Sequence, residues 1–154
     1  MPTLSLQRDL PYPRPAVYEA IADVARYPEF MPGFKRVRTE GWEDDALRVR
    51  QTVGMAGLTV TFLSRARFTE PERIDIVSHE RPFQVLSQIW RFEEHPDGRT
   101  RLHLKADYGL VDRMAGAVFE RVYPGLMRGA MTAIGRRVAA LSRRGSSRGE
   151  TALS

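Results

Sequence analysis

The longest regular pattern of hydrophobic and polar positions lies near the C-terminus, between residues 111 and 142. Apolar side chains recur there every three or four residues, while arginine, aspartate and glutamate side chains occupy positions between them. A single apolar stripe of this kind is typical of an amphipathic helix. At 1.5 Å per residue the helix would be ~45 Å long, so it needs a broad surface to lie against.

Pro124 falls inside this helical pattern. A proline in a helix interior removes one backbone hydrogen bond, and its ring collides with the preceding turn. We therefore predict two helical segments, at 111–123 and 124–142, with a bend near Val122 and Tyr123.

The chain before this helix alternates between apolar and polar residues, which is typical of strands that bury one face. The alternation predicts a first strand, then two short helices, then six more strands. The predicted strands are 3–10, 36–42, 46–53, 59–68, 73–78, 83–92 and 100–108. Short turns join the last six, which indicates antiparallel pairing. We predict an α+β fold, in which a curved antiparallel sheet of six or seven strands wraps around the long C-terminal helix.

Composition narrows the class of protein. A chain of 154 residues with 42% hydrophobic residues is typical of one globular domain. The absence of cysteine excludes disulfides, thiolate metal sites and thiol catalysis. No apolar run is long enough to span a bilayer, and the N-terminus lacks the regions of a secretory signal. We therefore expect a cytoplasmic protein, with the periphery of the inner membrane as the alternative location.

The net charge of +5 is concentrated near the C-terminus. Residues 1–142 are predicted to form the domain, and residues 143–154 have the composition of a basic, disordered tail. The surface residues considered for binding anionic lipid or ribosomal RNA are Arg136, Arg137, Arg143 and Arg144. A tail that only improves solubility is the alternative, and no DNA partner is expected.

Two stretches resemble a known superfamily. Residues 17–32, V-Y-E-A-I-A-D-V-A-R-Y-P-E-F-M-P, are similar to its "V-x-D-V-x-x-Y-P-x-F-x-P" word, and residues 81–92 are similar to "G-P-F-x-x-L-x-x-x-W-x-F". Together they resemble the START or helix-grip superfamily, and within it the coenzyme Q-binding, polyketide cyclase/dehydrase-like branch. In some bacteria members of this branch are ribosome-association toxins. Arg81 replaces the usual glycine, and residues 108–111 lack the "F-x-F-x-S" word of the quinone-binding branch.

No residue pattern indicates catalysis or metal binding. His79 lies in a loop, His95 lies in a Pro-Asp-Gly turn and His103 lies on the outward face of a strand. No two of them have the spacing of metal ligands, and the acidic pairs lie in turns. We therefore predict neither a catalytic residue nor a metal site.

The resemblance implies a cavity between the sheet and the long helix. Its predicted lining is Tyr27, Phe30, Met31, Phe34, Phe62, Ser64, Leu86, Gln88, Trp90, Phe92, Leu104, Tyr108, Met114, Val118, Met127 and Met131. Aromatic and methionine side chains suit a planar, apolar ligand, although the same spacing is typical of a plain core. The inward faces carry no charge, which indicates a neutral ligand, because burying an unpaired charge is costly.

Together these features predict a non-catalytic protein that binds and transports a hydrophobic small molecule. The resemblance implies an isoprenoid quinone such as ubiquinone, or a similar lipid, in support of respiration, and no further cofactor. The alternatives are a polyketide aromatase/cyclase and a ribosome-associated, toxin-like protein that uses its basic surface. Contact with a membrane surface is compatible with the first hypothesis.

Overall fold

The computed structural model describes residues 2–55 and 57–153, and the side chains of all of these except 55 and 146–153. The strands are β1 (Thr3–Leu10), β2 (Phe34–Glu43), β3 (Ala46–Met55), β4 (Leu58–Thr69), β5 (Arg73–Ser78), β6 (Phe83–Glu94) and β7 (Thr100–Leu110). The helices are α1 (Arg14–Ala22), a short 3₁₀ helix (Val24–Glu29) and α2 (Arg113–Leu153).

The seven strands form one antiparallel sheet in the order β1-β7-β6-β5-β4-β3-β2. The two short helical segments follow β1, and α2 packs against α1, β1 and β7. The predicted α+β helix-grip fold is therefore confirmed. Apolar residues at every second position identified the strands, and apolar residues at every third or fourth position identified the long helix. Both patterns arise because each element buries one face.

A single core fills the space between the sheet and α2. On β7 the inward residues Leu102, Leu104 and Ala106 are buried, while Lys105 on the other face is exposed. The buried residues of α2 are Phe119, Tyr123, Met127, Ala130, Met131, Ile134 and Val138. These positions follow the helical repeat over five turns and account for the apolar stripe in the sequence.

The sheet has a gap beside its shortest strand. β5 has 6 residues, whereas its neighbours β4 and β6 have 12 each. β5 pairs with β4 only over residues 65–69 and with β6 only over residues 86–91. Within residues 2–55 and 57–153, no strand therefore lies between the first half of β4 and the first residues of β6.

The predicted division of the last helix at Pro124 is wrong. The helix α2 is one element from Arg113 to Leu153, with Pro124 inside it. The carbonyl that loses its donor belongs to Glu120, which is exposed, so water can replace the missing N–H. Tyr123 and Met127, on either side of the proline, are buried and hold the helix on the sheet.

The same helix includes residues 143–153, where the composition predicted a disordered basic tail. Arg143 and Arg144 continue the helix, and Gly145 does not end it. No proline follows Pro124, so every later residue retains the backbone N–H that a helix requires. The structure thus differs from the compositional expectation over this segment.

Gly33 fixes the connection between the 3₁₀ helix and β2. Its φ is +83°, and a Cβ at this position would lie 2.8 Å from the carbonyl oxygen of Gly54. The amide of Gly54 donates a 2.7 Å hydrogen bond to the carbonyl of Gly33. Only glycine permits this close approach, which holds Pro32 and Phe34 over the open end of the sheet.

Among the described helices, none combines the length and the apolar character needed to cross a membrane. The longest of them, α2, carries several arginines on its exposed face.

Glu40 makes a pH-dependent contribution to stability. It accepts hydrogen bonds from Arg38 at 2.6 Å and from Arg50 at 3.0 Å. The hydrogen bond from Arg50, followed by that from Arg38, lowers the pKa of the Glu40 carboxyl to about 2. Because the folded pKa lies below the unfolded one, this stabilisation is complete above the unfolded pKa and is lost as the pH falls through the folded one.

We therefore expect Glu40→Gln to lower the melting temperature at about pH 7, and the difference from the wild-type protein to shrink towards zero at about pH 2. Thermal unfolding followed by circular dichroism across this range measures the effect. Glu72→Gln, at an exposed carboxylate with no ion pair among the described residues, is the matched control. A Glu40→Gln deficit that stays constant with pH would contradict the assignment.

Candidate functional site

A cavity of about 80 Å³ lies between the sheet and the first half of α2. Seven of the predicted lining residues do line it. They are Tyr27, Phe34, Phe62, Ser64, Leu86, Gln88 and Met127. We call this space the inner cavity, and its surface is mainly apolar.

The sequence analysis missed a larger set of lining residues, most of them aliphatic. They are Val24, Pro32, Val37, Val49, Gln51, Val53, Ala66, Ile76, Phe83, Phe119, Tyr123 and Leu126. Gln51 carried a usable signal, since it is a polar residue on the otherwise apolar face of β3, between Val49 and Val53. Tyr123 carried another, because it lies in the helical stripe one turn before Met127.

Nine predicted residues do not line the inner cavity. Trp90, Phe92, Leu104, Tyr108, Met31 and Met131 are buried in the surrounding core, and Phe30 is half-buried at the surface of the 3₁₀ helix. Met114 and Val118 are 83% and 48% exposed. The prediction that Met114 and Val118 line the cavity is therefore wrong. The first turns of α2 extend past the edge of the sheet, so these two side chains face solvent.

Two polar pairs interrupt the apolar lining. The Ser64 hydroxyl on β4 donates a 2.8 Å hydrogen bond to the Gln51 side-chain oxygen on β3. The Gln88 side-chain nitrogen on β6 donates to the Tyr123 hydroxyl on α2, and the Trp90 indole donates to the Gln88 oxygen at 3.4 Å. One pair therefore belongs to the sheet alone, and the other joins the sheet to the helix.

Each pair leaves a donor without an acceptor in the described part of the chain. The Tyr123 hydroxyl accepts from Gln88, so its own proton has no acceptor among these residues, and neither has the Gln51 amide nitrogen. A ligand oxygen in the inner cavity could accept from either group. Two neutral donors in an apolar space therefore suit a ligand with carbonyl or ether oxygens.

Among the side chains that the structure describes, the ionisable groups at the inner cavity are tyrosines. No acidic, basic or histidine side chain lines it among the described residues. Burial raises the pKa of the Tyr123 hydroxyl, and it also raises the pKa of Tyr27, whose hydroxyl donates to the carbonyl of Ile21. Both groups therefore stay neutral at physiological pH, and the site is electrically neutral.

An aromatic cluster separates the inner cavity from a second apolar space. The Phe83 ring contacts the rings of Phe62 and Phe119, with centroids 4.8 Å and 5.5 Å away. Phe119 stacks on Tyr123 at 4.7 Å and meets Tyr108 at 5.3 Å. Beyond Phe83 and Phe119 lies an outer hollow of about 80 Å³, next to the gap in the sheet.

The size of the inner cavity limits what it accepts without movement. An engineered protein cavity of roughly 150 Å³ binds benzene, which is a single ring. The inner cavity is smaller, so a ring-sized ligand requires displacement of side chains or of α2. Phe83 and Phe119 border both spaces, and their movement would join the inner cavity to the outer hollow.

The histidines lie outside this site. The His103 ring is 2.8 Å from Glu93 on the outward face of the sheet, and His79 is exposed in the loop between β5 and β6. Within the described residues, no group of three histidine, aspartate or glutamate side chains is placed to hold a metal ion. Of the predicted surface arginines, Arg136, Arg143 and Arg144 are exposed.

Arg137 differs from these three arginines. It is half-buried, contacts Glu29 at 3.4 Å and lies 5.1 Å above the centre of the Phe30 ring. This cation–π and ion-pair contact joins α2 to the 3₁₀ helix. The prediction that Arg137 belongs to a free basic surface is therefore wrong.

Comparison with known proteins identifies the family. The family described as "Polyketide cyclase / dehydrase and lipid transport" matches residues 10–130. The ribosome association toxin RatA of Escherichia coli strain K12 is 26% identical over 123 residues, which is 80% of this chain and 78% of that protein. The chain therefore belongs to the polyketide cyclase/dehydrase and lipid transport family.

Solved structures give the same result for the fold. The Zhui aromatase/cyclase from a Streptomyces species matches with a TM-score of 0.82 and 20% identity, over 90% of this chain and 93% of that one. A START superfamily protein from Mycobacterium smegmatis matches with a TM-score of 0.80 and 15% identity, over 90% and 98%. The resemblance to the START/helix-grip superfamily is confirmed, whereas the coenzyme Q branch stays a prediction.

The Gln88–Tyr123 hydrogen bond gives a testable prediction. Tyr123→Phe removes the only acceptor of the Gln88 nitrogen among the described residues, so we expect a loss of about 1 kcal/mol in the free energy of unfolding. Gln88→Leu in the Tyr123→Phe background removes the unpaired amide nitrogen but also the oxygen that accepts from the Trp90 indole, so it should recover at most part of that loss. Chemical denaturation measures both.

Tyr108→Phe is the control for this prediction. The Tyr108 ring is also buried in the aromatic cluster, but its hydroxyl makes no hydrogen bond with another described residue. We expect this variant to match the wild-type protein within about 0.5 kcal/mol. Equal losses in both tyrosine variants would show that the hydrogen bond to Gln88 contributes nothing specific.

Proposed function

We propose that this member of the family binds a neutral, hydrophobic molecule in the inner cavity and carries it without chemical change. The natural ligand in this proposal is an isoprenoid quinone, with ubiquinone as the first candidate. The observation that carries it is the lining itself, which is apolar and uncharged and contains two hydrogen-bonded polar pairs.

The arrangement of the donors favours a quinone over a plain hydrocarbon. A quinone ring carries two carbonyl oxygens on opposite sides, and each accepts a hydrogen bond. The Gln51 amide on the sheet and the Tyr123 hydroxyl on the helix are donors on two walls of one cavity. The apolar side chains between them would bury the ring and the first part of an isoprenoid chain.

The same lining argues against a catalytic cyclase. Aldol chemistry on a polyketone needs a group that moves protons, with a pKa near the working pH. The lining tyrosines have pKa values raised by burial, and no other ionisable side chain lines the inner cavity among the described residues. The aromatase/cyclase from Streptomyces matches at 20% identity, and that likeness supports a shared fold alone.

Lipid extraction from the purified chain tests the proposal. We expect mass spectrometry to find an isoprenoid quinone or a similar neutral lipid in the wild-type protein. Val37 lines the inner cavity and is half-buried, so Val37→Phe should fill the space and lower the bound lipid at least about ten-fold.

The matched control is Val77→Phe, at a half-buried valine of β5 that does not line the cavity. It should retain its lipid, with a melting temperature close to that of Val37→Phe. A wild-type protein that yields no lipid and does not bind added ubiquinone analogues would overturn the proposal. Recovery of a different lipid class would overturn the quinone assignment alone.

A second candidate function is association with the ribosome, favoured by the likeness to the E. coli toxin named for that property. The outward face of the sheet carries basic residues that form no ion pair with another described residue. They include Arg36, Arg67, Arg91 and Lys105. Phosphate contacts from such residues would make binding steeply dependent on salt.

Ribosome co-sedimentation at about 50 mM and about 200 mM salt tests this second candidate. If the sheet face binds RNA, Arg36→Gln/Arg67→Gln/Arg91→Gln should weaken binding and reduce the slope of log K against log salt by about one for each phosphate that a substituted arginine had neutralised. Arg136→Gln/Arg143→Gln/Arg144→Gln removes the same charge from α2 and discriminates the two surfaces. Absence of co-sedimentation at the lower salt concentration would exclude this function.

A further inference from the structure

Large hydrophobic side chains are exposed mainly at one end of the molecule. Of the five in the described part of the chain, four lie together, and we call them the apolar patch. The patch consists of Met114 (83% exposed), Leu58 (62%), Val111 (54%) and Val118 (48%). The fifth, Trp42, lies on β2 opposite Leu47 of β3, whereas Leu58 lies opposite Met55 at the other end of β3, roughly 26 Å along the strand.

The apolar patch surrounds the outer hollow. Leu58 on β4 and Val118 on α2 both line the hollow, together with Pro82 and Leu110. Val111 is attached to the same place, since its amide donates to the carbonyl of Pro82 at 3.1 Å. The hollow lies in the gap between β4 and β6, and among the described side chains only Phe83 and Phe119 border both it and the inner cavity.

Basic residues surround the apolar patch, and we call Lys35, Arg81, Arg113 and Arg121 the basic rim. Lys35 lies beside Leu58, because its ammonium group donates to the Thr59 hydroxyl at 3.2 Å. Arg81 precedes Pro82, and the two arginines are on the first turns of α2. Within the described residues, none of the four forms an ion pair.

Among the charged residues of the first turns of α2, Arg121 lies nearest to the exposed apolar side chains around the helix axis. At 100° per residue, Arg121 lies about 20° from Met114 around the helix axis, whereas Arg113 and Glu120 lie about 100° and about 120° away, side by side. Asp112 precedes the helix, and its carboxylate accepts a 2.9 Å hydrogen bond from the amide of Ala115 at the helix start. The exposed apolar stripe of α2 is thus continued by a positive charge.

We propose that the apolar patch and the basic rim dock this chain on an anionic lipid bilayer. The apolar side chains enter the interfacial region, and the basic rim contacts lipid phosphates. A hydrophobic ligand then passes between the bilayer and the inner cavity through the outer hollow, past Phe83 and Phe119. This passage rests on the proposed function, whereas the docking itself needs no ligand.

Charge favours a bilayer over a second copy of the chain as the occupant. A symmetric contact between two copies would bring two basic rims together, and like charges at close range are repulsive. An RNA partner would match the charge, but it would leave Met114, Val118 and Leu58 exposed to water. An anionic bilayer matches both the charge and the apolar surface.

Vesicle co-sedimentation of the full chain tests the docking surface. The probe is a phosphatidylcholine vesicle with about 30% phosphatidylglycerol, compared with phosphatidylcholine alone. We expect binding to the anionic vesicle, and a loss of at least about ten-fold in partition coefficient for Met114→Glu/Val118→Glu. Arg113→Gln/Arg121→Gln should lose roughly five-fold per arginine on anionic vesicles and little on neutral ones.

Two matched controls test whether the vesicle contacts the apolar patch and the basic rim or another part of the surface. Trp42→Glu makes the same kind of change at the exposed hydrophobic residue of the opposite end, and Arg143→Gln/Arg144→Gln removes the same charge from the other end of α2. Each should change the partition coefficient less than about two-fold. Wild-type binding by Met114→Glu/Val118→Glu would overturn the proposal, and so would an equal loss in the Arg143→Gln/Arg144→Gln variant.

A second readout reports on the position of the patch directly. The chain has no cysteine, so Met114→Cys and Trp42→Cys each give a single site for a polarity-sensitive fluorophore. We expect a blue shift on anionic vesicles for the probe at position 114 and none for that at position 42. The reverse pattern, or a lipid-free dimer that Met114→Glu dissociates, would overturn docking at this surface.

The experiments separate this inference from the proposed function. A chain that contains extractable lipid but does not bind vesicles retains the carrier function and excludes this docking surface. A chain that binds vesicles through the patch but never contains lipid retains the surface and excludes the carrier.

Discussion

The packing of Phe119 and Tyr123 on α2 against Phe83 and Tyr108 on the sheet is the contact on which the site depends. These rings meet at centroid distances of 4.7–5.5 Å. Large rings hold the first half of α2 away from the sheet. Further along, the helix packs against β1 at ordinary contact distance, since a Cβ at Gly135 would lie 3.4 Å from the Leu10 side chain. One helix thus closes the core at one end and leaves a space at the other.

This difference between the two halves of α2 connects fold to function. The second half, with Ile134 and Val138 fully buried, contributes stability through close packing. The first half borders the inner cavity and the outer hollow, and its apolar residues divide between lining them and facing water. A carrier needs both properties, because the domain must stay folded while the ligand space opens and closes.

The sequence predicted the elements well and the site only in part. Alternation along β7 and the helical stripe of α2 identified the fold, because burial on one face leaves a period that any single sequence shows. The period shows which face of a strand or helix is buried, but it does not show where the element packed against that face ends. Met114 and Val118 lie on the correct stripe and are still exposed, because the sheet does not extend over the first turns of α2.

The sequence also does not show which buried residues border a cavity and which are surrounded by other side chains. Trp90 points inward as predicted, but it is buried beside Gln88 and does not border the cavity. Gln51 and Tyr123 border it because three-dimensional packing brings β3 and α2 to the same space. The period of a pattern cannot distinguish a residue that fills a core from one that lines a void. Only the placement of both walls makes that distinction.

The central claim is that the inner cavity accepts a neutral ring, and the methionine methyl groups test it directly. Met127 lines the cavity, Met131 is buried just beyond it, and Met114 is exposed. On titration with a short-chain ubiquinone analogue without membranes, we predict a large NMR shift for the Met127 methyl and almost none for that of Met114. An unshifted Met127, or a shift confined to Met114, would contradict the account.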